Sequence, residues 1–286
     1  MGWSLCHNAD VFLEKRNTHL LANESLNCLA WAAILRSKEA TTDDTDHTFF
    51  TFDEGAESSA HAFIRHSRRS LVLSTMSDAQ AEQLMTVLGS QSDSLKIAEG
   101  PGDAALTFGK AWDQTDGHSH ALEMNQALYE LTHVDMPKTA GGTMVLAGPE
   151  TKVLLQSFLT GFCRDCFPQK TFTPEMIEQR VQRLLDEKKG YLWRNQDGEL
   201  VSMAAIVRES PNTTSISLVY TPPPQRGQGY AARIVAALSQ DQLDAGKSAC
   251  NLHTDLANPT SNGVYIRIGY ARIAKSIRLQ LMAAQK

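Results

Sequence analysis

The chain has 286 residues, 42% hydrophobic and 21% charged, with a formal net charge of −5 and a pI near 6.0. Such a composition belongs to a globular protein with a real core, in one large domain or two of about 140 residues, and not to a disordered one. It lacks the basic bias of a general nucleic-acid binder, and no apolar stretch approaches the about 18 residues of a membrane-spanning helix.

Met1-Gly2-Trp3-Ser4-Leu5-Cys6-His7 has neither the basic start nor the apolar run of a signal peptide. Five scattered cysteines suit a reducing cytosol better than a disulfide framework, so a cytoplasmic location is expected. Leu21, Leu26, Leu29, Ala33 and Ile34 fall near helical spacing and predict a helix over 20–38. A polar loop over 40–47 follows, then short strands at 47–52 and 70–74. Ser77 is an N-cap for a helix ending at Leu88, before Gly89. Gly100-Pro101-Gly102-Asp103 opens a helix to Trp112, and residues 127–134 alternate as a strand.

Residues 138–142, Lys-Thr-Ala-Gly-Gly, form the expected linker, dividing the chain into domains 1–138 and 139–286. Beyond it the pattern predicts a strand at 143–147 and helices at 151–167 and 173–189, the second capped by Thr173 with Pro174 at its first position. Strands at 191–194, 200–208 and 215–220 follow, joined by hairpin turns. The chain closes with a helix over 229–245, a strand over 249–254, a helix over 259–268 and a strand over 270–281.

The strand at 215–220 stops at Pro222-Pro223-Pro224 and gives way to Arg226-Gly227-Gln228-Gly229-Tyr230-Ala231. Glycines here let backbone N–H groups approach an anion, and the following helix points its positive end at the same spot. Gly227-x-Gly229-x-x-Ala232 also matches the dinucleotide fingerprint, with Asp255 at the end of the next strand. Against that reading, five residues separate strand and glycines, the preceding strands are antiparallel, and only about fifty residues remain to complete a doubly wound sheet.

Arg226-x-x-Gly229-x-Ala231, preceded by three antiparallel strands, and the later block Asn258-Pro-Thr-Ser261-Asn262, Tyr265 and Ile268-Gly269-Tyr270 resemble the GNAT acetyltransferase superfamily over about residues 139–286. Leu26-Asn27-Cys28-Leu29, Gly100-Pro101 and the Phe108…Trp112 pair resemble the degenerate first half of two-domain GNAT-like proteins. The resemblance implies an α+β fold: a mixed, mostly antiparallel sheet flanked by helices, behind a first domain that is either a degenerate GNAT-like one without a cofactor loop or another α+β domain.

It further implies acetyl-CoA as donor and a primary amine of a small molecule or peptide as acceptor, with no nucleic acid and no membrane. Val219, Tyr220 and Thr221 would bond the pantetheine arm, and an N–H there could polarise the acetyl carbonyl. Arg226, Gly227, Gly229, Tyr230 and Ala231 would surround the diphosphate. Asn258, Ser261 and Asn262 would complete the cofactor site. Tyr265 would protonate the departing thiolate; as a helical aromatic it also suits plain packing. A carboxylate or a water chain would serve as base; Asp255, Asp165, Glu175 and Glu209 are available, and nothing in the sequence singles one out. A CoA-binding protein without turnover and, less favoured, a nucleotide-dependent oxidoreductase are the alternatives. Cys163-Arg164-Asp165-Cys166 lacks a second CxxC, and His118-Ser119-His120 reads as loop before metal site. The acceptor's identity and the oligomeric state are left open.

Overall fold

The computed structural model describes residues 2–6, 8–39, 46–54, 57–138 and 141–283. The expected loop at 40–47 and linker at 138–142 fall partly outside them. The chain divides into two compact units: residues 1–128 with 254–257 and 273–286, and residues 129–253 with 258–272.

The first unit runs β1 (Gly2–Cys6), α1 (Ala9–Ala22), α2 (Cys28–Glu39), β2 (His47–Glu54), β3 (Glu57–Arg65), β4 (Ser70–Leu73), α3 (Asp78–Leu88), β5 (Ile97–Pro101), α4 (Gly102–Asp113) and β6 (Ser119–Leu131), whose last residues belong to the second unit. The second runs β7 (Thr143–Leu146), α5 (Lys152–Cys166), α6 (Pro174–Asp186), β8 (Gly190–Arg194), β9 (Leu200–Glu209), β10 (Thr213–Tyr220), α7 (Tyr230–Asp244), β11 (Ala249–Asp255), α8 (Pro259–Arg267) and β12 (Ala271–Met282), which ends in the first. Short 3-10 turns aside, one succession of ten elements occurs twice. In each, four strands are antiparallel neighbours and the fourth pairs parallel with the fifth.

In the first unit Phe49, Phe63 and Val72 pack under α1 and α2 with Phe12, Leu20, Trp31 and Ile34. Phe50, Ala62, Ile64 and Leu71 face the other way, onto α3 and α4 with Leu84, Phe108 and Trp112. A sheet buried on both faces needs apolar residues at odd and even positions alike. β12 lies beside β5, pairing Ser276 with Pro101 and Gln280 with Ile97. Glu99, buried on β5, ties three strands together by accepting from Arg65 on β3 and from Arg278 on β12 (Nη2 at 2.7 Å). The helix expected over 20–38 is two helices, broken at 23–27, where Asn23 leaves helical dihedrals and Asn27 Nδ2 bonds the Asn23 carbonyl.

β4 and β5 approach closely. A Cβ on Gly100 would stand 2.6 Å from the Leu73 carbonyl oxygen. Gly100→Ala is therefore expected to destabilise the protein by about 1–3 kcal/mol, the usual range for overpacking. A urea midpoint equal to that of the unsubstituted protein would contradict this contact.

Candidate functional site

The second unit departs from the first at the corresponding place. β10 pairs with β11 only from Thr213↔Ala249 to Ser215↔Asn251, and then runs on to Tyr220. On its other side, Ser217 pairs with Ala205 and Tyr220 with Met203, so Leu218 and Val219 together stand opposite Ala204. This is a β-bulge, and Leu218 takes φ +55° to make it. Leu218 and Tyr220 are buried in the core under α5 and α6, while Val219 is half-buried. Backbone groups at the end of β10 are thereby released from the ladder on the β11 side.

The loop after β10 is anchored by side chains. Ser202 Oγ donates to the Tyr220 carbonyl at 3.0 Å and lies 2.9 Å from the Thr221 hydroxyl. Arg226 Nε donates to the Thr221 carbonyl at 2.9 Å, and its Nη2 donates to Asp165 at 2.5 Å. The same guanidinium lies over the Tyr220 ring, 5.6 Å from its centroid. Asp165, at the end of α5, also accepts from Arg164 at 2.8 Å, and these two arginines hold its carboxyl below the usual range. The Tyr220 ring fills the space over Gly161, where a Cβ would collide with its hydroxyl. The charge of Arg226 is thus spent on loop geometry.

Gly227 and Gly229 have φ of +79° and +84°, the left-handed region that glycine enters without steric cost. Gly229 is the N-cap of α7, and no side chain caps that helix. Its first N–H groups have no intrahelical acceptor and point out past an exposed loop. Tyr230 is buried, its hydroxyl donating to the Gln228 side chain at 3.0 Å, and Ala231 is half-buried. In the first unit α3 begins otherwise. Ser77 and Gln80 form a reciprocal capping box, Asp78 adds a negative charge to the first turn, and no glycine lies between β4 and the helix. That helix start is self-satisfied and repels anions.

Asn258 caps α8, its Oδ1 accepting from the Ser261 N–H at 3.0 Å. Asn262 Nδ2 donates to the Asn258 carbonyl at 2.7 Å. These three expected residues form one turn. Tyr265 follows on α8, 8% exposed, with its ring edge-on to Tyr270 at 6.1 Å. Tyr270 in turn shares a 2.9 Å hydrogen bond with Ser239 of α7. Burial pushes the Tyr265 phenol well up, and the nearby Cys166 adds to the shift. The end of α5 therefore bears on both parts of the site: Asp165 bonds Arg226 of the glycine loop, and Cys166 lies near enough to Tyr265 to add to its shift.

Of the other carboxylates, Glu209 is paired with Lys189 at 2.8 Å. Glu175 is held down by its own backbone N–H and by Thr173, and Asp255 accepts from the Ala257 N–H at 2.8 Å. Cys163 is buried and Cys166 exposed, and neither is in a disulfide. His118 stacks on Trp112 and His120 bonds Asp113. Among the described residues no group of histidine, cysteine and carboxylate side chains is placed to hold a metal, and no helix is long and apolar enough to cross a membrane. The bulge at Leu218 and the Asp165 anchor are absent from the sequence reading.

Residues 194–279 match the model of the FR47-like protein family. No curated protein matches the sequence. Similar solved structures include an acetyltransferase of the GNAT family from Colwellia psychrerythraea, 15% identical over 99% of this chain and 100% of that one, with a TM-score of 0.56. A GCN5-related N-acetyltransferase from Sphaerobacter thermophilus is 14% identical over 98% and 95%, with a TM-score of 0.63. A tandem GNAT protein from the clavulanic acid biosynthesis pathway is 9% identical over 99% and 99%, with a TM-score of 0.56. The chain has the GNAT acetyltransferase fold in tandem form, which accounts for the ten-element succession occurring twice.

Proposed function

We propose that the second unit of this GNAT-fold chain binds acetyl-CoA and transfers its acetyl group to a primary amine of a small molecule or peptide. The observation that carries this reading is that β10 parts from β11 after Ser215 while the uncapped start of α7 follows behind two left-handed glycines. A long, thin ligand with a diphosphate at one end suits both features. Open space at Gly227 fits it too, since a Cβ there would meet nothing within 4 Å.

The N–H groups of Gly227, Gly229, Tyr230 and Ala231 bind the diphosphate, aided by the helix dipole. Arg226 holds their loop in shape. The freed backbone of Val219, Tyr220 and Thr221 takes the pantetheine arm, and one N–H there polarises the acetyl carbonyl. Asn258 keeps its amide NH2 for the same arm, beside Ser261 and Asn262. When bound, acetyl-CoA supplies an activated acyl carbon and a thiol leaving group. Tyr265 holds a proton at Oη throughout the neutral range, and that proton would go to the CoA sulfur as it leaves the acyl carbon. Asp165, engaged by two guanidinium groups, stays ionised and serves the loop, not the amine.

The test is calorimetric titration of the full chain with CoA, followed by thiol release from acetyl-CoA against a panel of primary amines. Binding together with amine-dependent release is expected. Absence of binding would defeat the reading, and binding with no release for any amine would leave a CoA-binding protein without turnover. A second expectation concerns Asp165→Asn, which keeps the side chain's size and removes its charge. The KM for acetyl-CoA should rise about two- to fivefold, as befits an exposed ion pair, with kcat nearly unchanged. A fall in kcat at constant KM would instead assign Asp165 to the chemistry.

A further inference from the structure

Acetyl transfer to an amine moves two protons. Tyr265 accounts for the one that goes to sulfur. The other must leave the amine nitrogen as it attacks, and it needs a base. Two of the carboxylates are engaged elsewhere, Asp165 by Arg164 and Arg226 and Glu209 by Lys189. The strands that part in the second unit hold a different group.

The sheet of that unit has two faces, told apart by side-chain contacts. Trp193 of β8 lies against Arg233 of α7, while its neighbour Leu192 packs under α5 and α6. Neighbours in a strand point to opposite faces. Thr214 of β10 bonds Gln242 of α7 at 3.2 Å, and Cys250 of β11 bonds the Ser239 carbonyl of α7 at 3.7 Å. Ser215 and Asn251, the next residues, therefore face away from α7, and they meet there, Oγ to Oδ1 at 2.6 Å. Two residues further on, Ser217 and His253 continue the same face. Ser217 stands opposite Ala205, which belongs to the core under α5 and α6.

Ser217 and His253 are also the first residues of this face past the split. The last pair of the parallel ladder is Ser215↔Asn251. Up to that pair the face is closed, with Thr213, Ser215 and Asn251 5%, 2% and 0% exposed. Beyond it Ser217, Val219 and His253 are all half-buried. Accessible surface thus begins where the strands separate, with Ser217 on one side and His253 on the other. The His253 ring has Nδ1 on its buried side, so the chemistry falls to Nε2.

We propose that His253 is the general base of the transfer, receiving at Nε2 the proton that the acceptor amine loses; this rests on the second unit binding acetyl-CoA. The glycine loop and the start of α7 hold the cofactor on the α7 side, and Tyr265 is tied to that side through Tyr270 and Ser239. An amine arriving at the opening from the other face meets His253. Acid and base then stand on opposite sides of the acyl carbon. His253 takes the nitrogen's proton as the C–N bond forms, and Tyr265 gives its own to sulfur as the C–S bond breaks with its electron pair. Water returns the proton from His253 to Tyr265, so both groups end as they began. Imidazole suits this role because it is the side chain that ordinarily exchanges protons near neutral pH.

The test is NMR of the full chain labelled with 15N-histidine and titrated with CoA, together with the kinetics of His253 variants. The His253 imidazole resonances, identified by their loss in His253→Gln, should shift as CoA saturates, because its thiol end arrives beside them. His253→Gln should bind CoA as tightly as the original protein by calorimetry. Its thiol release from acetyl-CoA against primary amines should be about 100-fold slower, the usual contribution of a general base. In His253→Ala, imidazole added to the buffer should restore the rate saturably, a response that a purely structural residue would not give. Unmoved resonances, or full kcat in His253→Gln, would overturn His253 as base while leaving CoA binding intact. So would a loss of rate that imidazole does not relieve. If the original protein fails to bind CoA, the acetyl-CoA reading falls and the base with it. If the variants do not fold, or no amine is turned over, the resonances of the original protein, assigned through its backbone, decide: they move with CoA or the site is refuted.

Discussion

Tyr265→Phe is expected to lower kcat for acetyl transfer about 100-fold, the usual contribution of a positioned general acid, while leaving the affinity for CoA unchanged. The substitution removes a single oxygen. The ring keeps its edge-on contact with Tyr270, and no hydrogen bond of the Tyr265 hydroxyl is lost among the described residues. The melting temperature should therefore stay nearly unchanged. The pH dependence has a definite sign. Burial raises the phenol's pKa in the folded state above its ordinary value near 10. Its contribution to stability is thus complete below pH 10 and is lost as the pH rises further, because the unfolded chain then releases the proton first. Tyr270 behaves alike, so the variant should keep part of the alkaline instability and lose part. Between pH 7 and 10, ionisation of Tyr265 should produce no fall in rate. A variant with full kcat and normal CoA affinity would make Tyr265 a packing residue.

The second unit was more legible than the first, for reasons visible in particular residues. β8, β9 and β10 are joined by hairpins whose turns carry Asn195-Gln-Asp-Gly198 and Ser210-Pro-Asn212, and Thr173-Pro174 announces α6. Local chemistry specifies those boundaries. In the first unit Ala60, His61, Ala62, Phe63 and Ile64 of β3 are all buried, on both faces of the sheet, so the strand shows no alternation. β5, Ile-Ala-Glu-Gly-Pro, has the composition of a turn, and its pairing with β4 and β12 comes from chain segments far away in sequence. The helix over 20–38 failed because apolar spacing continues through 23–27, where Glu24 and Ser25 are buried in a turn. At the site, Gly227, Gly229 and Asn258 were readable because their backbone roles follow from residue type. Leu218 was not, since nothing in a leucine announces φ +55°. Asp165 was legible as a carboxylate but not as an anchor, because its partner Arg226 lies 61 residues along the chain.

Gly229→Val should weaken CoA binding about 100-fold or more, because it acts on the backbone that makes the anion cradle. Gly229 sits at φ +84°, and a β-branched residue there is a steric outlier. The valine would pull the residue toward negative φ and swing the N–H groups of Gly229, Tyr230 and Ala231 off a common point. In the proposed site the strength comes from convergence of those groups, since each alone competes poorly with water. The helix itself should survive. Its body is fixed by Ile234, Val235 and Leu238, all buried, so the loss of stability should stay near the about 1–3 kcal/mol of one strained backbone position. Ser77→Ala supplies the contrast. It breaks the capping box of α3 and should cost about 1 kcal/mol of stability, yet leave CoA affinity unchanged. If Ser77→Ala weakened CoA binding and Gly229→Val did not, the cofactor would belong to the first unit. Equal and full affinity in both variants would remove it from either helix terminus.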